Sequence, residues 1–125
     1  EYNTEPNTIS ISEGGNSCGY VALNLDRFWS GGHNYTLQNL RIDTEFLFQC
    51  LKGIEMKIMA LRVGSGLPNI QKAAIDGVDI IFPLEDEQKS IGQFLTKLSN
   101  LITLHQRQVE KLKNIKSALL EKMFV

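Results

Sequence analysis

Three stretches near the start of the chain alternate apolar and polar side chains with the two-residue period of a half-buried strand. "TISIS" (Thr8 to Ser12) is the first. "GYVALNL" (Gly19 to Leu25) repeats the pattern with Val21, Leu23 and Leu25 on one face, and "HNYTLQ" (His33 to Gln38) follows a turn at Ser30 to Gly32. Together they predict a mostly antiparallel sheet. Between the first two strands, "SEGGNSCG" supplies Gly14, Gly15 and Asn16, residues that tolerate positive φ, so a tight connection is expected there. The period then changes. "IDTEFLFQCLKG" offers Asp43 or Thr44 as a cap, apolar positions at Phe46, Leu47, Cys50 and Leu51, and Gly53 as a stop, which predicts a short amphipathic helix. A second short helix is expected over Ile54 to Leu61. One or two helical turns are expected in "IQKAAI", and a last strand in "VDIIFP", Val78 to Pro83.

From Asp86 to about Met123 the chain has no proline and a single glycine, Gly92. Ile91, Leu95, Leu98, Ile102, His105, Val109, Leu112, Lys116, Leu119 and Met123 recur there at alternating spacings of four and three. That is a heptad seam, with Leu95, Ile102, Val109, Lys116 and Met123 at a and Ile91, Leu98, His105, Leu112 and Leu119 at d. Polar His105 and Lys116 are read as register-setting residues. Acidic Glu85, Asp86 and Glu87 open the helix and Lys122 lies near its end, as the helix dipole favours. At 1.5 Å per residue the helix is roughly 55 Å long, so much of its seam is expected to face a second long helix. The alternative left open by the residues is a helix folded back on its own domain.

Charge divides the chain at the same place. Residues 1–88 hold six basic against twelve acidic side chains, and residues 89–125 hold seven against two. An acidic first part does not by itself favour a nucleic-acid partner, because nonspecific affinity rests on clustered Lys and Arg. No signal-peptide pattern and no run of about eighteen apolar residues occurs, so a cytoplasmic protein without a membrane partner is expected. Cys18 and Cys50 fit neither a zinc spacing nor a disulfide framework and are expected to be free thiols. Phosphate-binding glycine loops, HExxH and GxSxG are absent, the two histidines have no ligand spacing, and no metal site is expected.

The segment "GSGLPNIQKAAIDGVDIIFPLEDEQKSIGQFLTKLSNLITLHQRQVEKLKNIKSALLEKMF" resembles the end of a target-recognition module in the specificity subunits of type I restriction-modification systems. The resemblance is carried in order by Gly64, Ser65, Pro68, Asn69 and Ile70, then Pro83, Glu87 and Gln88, then Leu119, Leu120, Met123 and Phe124. Upstream, "TISISEGGNSCGYVALNLDRFWSGGHNYTL" is similar to the middle of such a module. The resemblance implies an α+β fold. A partial, mostly antiparallel β-rich recognition domain with short helices would occupy residues 1–83, and one long coiled-coil helix residues 84–125.

It further implies a non-catalytic subunit that directs a DNA methyltransferase subunit and a restriction nuclease subunit to a bipartite double-stranded DNA target. S-adenosylmethionine, ATP and Mg would sit on those partners, and this chain would hold no cofactor. Ser12, Glu13, Gly14, Gly15, Asn16, Ser17, Trp29, Ser30 and His33 are then candidates for the DNA-facing edge. Glu13 would be suited to accept from a cytosine amino group and Asn16 to pair with adenine. Ile91, Leu95, Leu98, Ile102, His105, Val109, Leu112 and Leu119 would form an antiparallel coiled-coil interface with a second copy or a second half-subunit. The rival reading is a coiled-coil assembly protein with no DNA contact.

Overall fold

The protein is described by a computed structural model that covers residues 1–124. The elements run β1 (Thr8–Ser12), a 3-10 turn (Gly15–Ser17), β2 (Val21–Asn24), β3 (Asn34–Leu37), α1 (Thr44–Gly53), α2 (Glu55–Ala60), α3 (Lys72–Asp76) and α4 (Glu85–Met123). The expected α+β architecture is present: an antiparallel sheet, short helices and one long C-terminal helix. Two compact units divide the chain, residues 1–93 and the helix from Phe94 onward.

The sheet order is β2-β1-β3, with both pairings antiparallel. Register explains why the alternating stretches fold this way. Ile9 faces Leu23 on one side and Leu37 on the other, and Ile11 faces Val21 and Tyr35, so two apolar rows cross the sheet on one face. Ile9, Ile11 and Val21 are buried with Cys18, Leu47, Leu51, Ile58 and Ile70 in a single core. The opposite face of β1 is closed as well: Thr8 and Ser10 are buried, and Asn24 Nδ2 donates to Ser10 Oγ and to the Thr8 carbonyl, each at 3.0 Å. The outer edge of β2 meets a charged pair instead of a fourth strand. Glu55 Oε2 accepts from the Val21 N–H at 2.9 Å, while Lys52 Nζ bonds Glu55 at 2.5 Å and the Val21 carbonyl at 3.3 Å. Such capping blunts an edge against pairing with other chains.

Of the two expected cap candidates, Asp43 caps α1, its Oδ1 accepting from the Phe46 N–H at 2.9 Å, and Thr44 is the first helical residue. The first turns of α4 belong to the same unit and dock on that cap. Buried Gln88 accepts from the Asp43 N–H at 3.0 Å and donates to the Pro83 carbonyl at 2.8 Å. Gly92 lies so close that a Cβ there would stand 2.7 Å from the Phe46 nitrogen.

Three expectations are corrected. Val78 to Pro83 is not a strand: the Val78 N–H closes the turn of α3 on Ile75, and the Pro83 carbonyl is taken by Gln88, so no ladder forms. Leu25 does not share the buried face of Val21, because β2 ends at Asn24 and Leu25 is exposed. Of the expected positive-φ positions in the turn only Gly15 has one: Gly14 is extended, Asn16 sits in the 3-10 turn, and the second positive φ falls at Gly19.

From Phe94 onward the helix presents an unburied apolar surface. Leu98, Ile102, Val109, Leu112 and Leu119 of the seam are exposed in the single chain, as are Leu101, Leu104 and Ile115 beside it. Among the described residues no helix is long and apolar enough to cross a membrane.

Candidate functional site

The end of β1 and the turn that follows it are held from three sides. The Glu13 N–H donates to the His33 carbonyl at 2.9 Å, and the Glu13 carbonyl accepts from the Ile70 N–H at 2.9 Å. Gly14 forms an antiparallel bridge with Asn69, and the Gly15 N–H donates to the Pro68 carbonyl at 3.0 Å. Asn69 in turn bridges Val63 through both backbone groups, closing the loop Gly64 to Pro68 as a small hairpin. Two glycine-containing loops distant in sequence thus lie side by side.

Side chains brace this junction. Glu13 Oε1 accepts from Tyr35 Oη at 3.2 Å and from Asn69 Nδ2 at 3.3 Å, while Tyr35 Oη lies 2.8 Å from the Ile70 carbonyl. Burial and the adjacent Glu13 carboxylate push the Tyr35 hydroxyl above its ordinary pKa. Cys18 Sγ donates to the Glu13 carbonyl at 3.1 Å; burial pushes its pKa up, and the nearby Arg62 guanidinium opposes that rise. Ser12 and Ser17 hydroxyls meet at 3.0 Å across the turn. Together these bonds tie the turn, β3 and the second loop into one frame.

The nine candidate residues separate accordingly. Ser12, Gly14 and Gly15 are half-buried parts of the frame, and Glu13 has one carboxylate oxygen engaged within it. Asn16, Ser17 and His33 are exposed, and the chain at His33 is joined to the turn through Glu13. Ser30 is laced instead to the N-terminal segment: its N–H donates to Asn3 Oδ1 at 2.7 Å, and Asn3 Nδ2 donates to its carbonyl at 3.0 Å. Trp29, its neighbour in sequence, is 62% exposed. The structure adds Tyr35, Pro68 and Asn69, which alternation and turn chemistry do not single out because their importance lies in long-range pairing. Among the described residues no group of His, Cys, Asp or Glu is arranged to hold a metal ion, and both cysteines are free. Chemically the edge offers an exposed amide, hydroxyl and imidazole on a rigid backbone.

The chain is similar over most of its length to known proteins. The family model described as the type I restriction modification DNA specificity domain matches residues 1–114. A Mycoplasma genitalium chain named as a type I specificity subunit is 36% identical over 112 residues, covering 83% of this chain and 29% of that one. The specificity subunit of a type I restriction enzyme of Methanocaldococcus jannaschii is 31% identical, covering 70% of this chain and 20% of its own length. The crystal structure of a type I restriction-modification S subunit from M. genitalium superposes with a TM-score of 0.68 at 34% identity, covering 83% of this chain and 30% of that one. The chain therefore spans less than a third of each of these relatives.

Proposed function

Because the chain belongs to the type I restriction-modification DNA specificity family, we propose that it serves as part of a sequence-reading subunit that directs methyltransferase and nuclease partners to a bipartite duplex target. A single observation carries this reading: the family domain runs unbroken through the glycine-rich edge and most of α4. Residues 1–93 contribute recognition of one half-site, with Asn16, Ser17 and His33 presented to base edges and phosphates. Double-stranded DNA is the ligand, and the cytoplasm the setting. Methyl transfer, with its flipped base and S-adenosylmethionine, and ATP- and Mg-dependent cleavage belong to the partners.

Helix α4 supplies spacing. Its 39 residues extend about 58 Å, enough to separate two half-sites by a helical turn of about 34 Å. Pairing antiparallel with a second long helix covers the exposed seam and sets two recognition elements at a constant distance.

The test is sequence-specific methylation by the assembled complex. Asn16→Ala and His33→Ala are each expected to weaken specific binding by about 1–3 kcal/mol per lost base contact, without loss of assembly. If methylation is indifferent to both substitutions while the complex still assembles, this edge does not read DNA.

A further inference from the structure

The unit of residues 1–93 carries seven basic and twelve acidic side chains, so a polyanion can approach it only at a local exception. Four of the seven cations are neutralised within the fold: Arg27 by Glu5, Lys52 by Glu55, Lys72 by Asp76 and Lys89 by Glu85. Among the described residues, Arg41, Lys57 and Arg62 have no carboxylate within ion-pair distance. Their surroundings differ. Arg41 lines a groove with Asp43 and Glu85, and Lys57 lines one with Asp79. Arg62 alone of the three stands at the glycine-rich edge.

Two contacts hold it there. Gly19, which ends the turn, packs so tightly on α2 that a Cβ would be 2.7 Å from Met59 Cα, and the Arg62 N–H donates to the Met59 carbonyl at 3.4 Å. On the other side Val63 is bridged to Asn69, which is bridged to Gly14. The exposed guanidinium is thus carried on backbone fastened to both glycine loops, close enough to Cys18 to act on its thiol. Beside it the loop from Gly64 is exposed. Gly66 has open space where a side chain would be, and the N–H groups of Ser65 and Gly66 have no partner among the described residues. A guanidinium on anchored backbone, followed within four residues by free backbone N–H groups and a serine hydroxyl, is a donor set matched to a phosphodiester.

We propose that Arg62, with the open Ser65–Gly66 backbone beside it, is a DNA-phosphate anchor that seats the glycine-rich edge against the duplex. This rests on the DNA-reading function proposed above and adds a residue that positions without reading sequence.

The experiment is a salt titration of duplex binding by the assembled complex, on target and random DNA, with Arg62→Ala, Arg62→Lys, Arg27→Ala and Asn16→Ala. Arg62→Ala is expected to lower affinity equally for both duplexes and to reduce the magnitude of the log K against log salt slope by about 1. Arg62→Lys should keep the slope, Arg27→Ala should leave it unchanged, and the exposed position should leave the melting temperature of Arg62→Ala at the wild-type value. If Asn16→Ala weakens target binding while Arg62→Ala keeps the wild-type slope, the anchor is wrong and the reading edge stands. If neither Asn16→Ala nor Arg62→Ala alters binding, both fall.

Discussion

Gly15 and Gly19 both occupy the left-handed region, at φ of +73° and +88°, yet they differ in what surrounds them. A Cβ at Gly15 meets nothing within 4 Å, whereas one at Gly19 meets Met59 backbone at 2.7 Å. Gly15→Ala should therefore cost only the conformational penalty of about 1–2 kcal/mol. Gly19→Ala should cost that plus an overpacking penalty of about 1–3 kcal/mol, read as a larger drop in denaturation midpoint. At the neighbouring positions the division is between frame and edge. Glu13→Ala removes an acceptor from Tyr35 and Asn69 and should destabilise by about 1 kcal/mol, while exposed Asn16→Ala should leave stability unchanged. Tyr35 gives the pH dependence. Its folded pKa is raised above the ordinary 10.0, so the folded state holds the phenolic proton more tightly than the unfolded chain does. That contribution is complete below the unfolded pKa and is lost as pH rises through the folded one. Tyr35→Phe should flatten the alkaline fall in stability, and urea titrations between about pH 8 and pH 11 would register it.

Among the elements, the junction of α1 with the start of α4 reverses an ordinary rule. Replacing a helical glycine by alanine usually stabilises by about 0.5–1 kcal/mol. At Gly92 the added methyl would press on the Phe46 nitrogen at 2.7 Å and Asp43 Oδ1 at 3.0 Å, so Gly92→Ala is expected to lower the melting temperature. Gln88, between the same two helices, was visible in the sequence only as part of a family pattern. Its reason is structural: one side-chain amide satisfies the Asp43 N–H and the Pro83 carbonyl together. Further along α4 the expected partner is a second helix. Leu98→Ala with Leu112→Ala should dissociate a paired sample at micromolar concentration, each truncation costing about 2–5 kcal/mol at a buried seam. Unchanged mass by analytical ultracentrifugation would refute the pairing. Antiparallel order about a twofold near His105 brings Lys116 to the level of Phe94 and Leu95, so cysteines at 116 and 94 should cross-link better than 116 with itself.

For the whole molecule, the chain divides into an acidic globular unit and a basic helix. The unit of residues 1–93 encloses its own core, and the helix beyond it leaves its apolar residues exposed in the single chain. Adding a methyltransferase subunit of the same system should therefore produce a larger stable complex, with duplex binding steeper in salt than that of the chain alone. The added Lys and Arg contacts of the partner would supply that slope.

Elements whose pattern is local were legible from the amino acids alone. β1 as Thr8–Ser12, α1 with a cap at Asp43 or Thr44, and the long helix α4 follow from periods of two and about 3.6 and from capping chemistry, which neighbouring residues impose on one another. What depended on distant partners was not. Val78 to Pro83 has the composition of a strand and lacks a ladder, and Leu25 continues an alternation past the point where pairing stops. Glu13 has the chemistry of an exposed acceptor but is drawn to Tyr35 and Asn69, residues 22 and 56 positions away. Periodicity records which face of a segment is apolar. Only the folded chain decides which backbone groups find partners, which carboxylate is committed within the frame, and which arginine is left free beside the glycine loops.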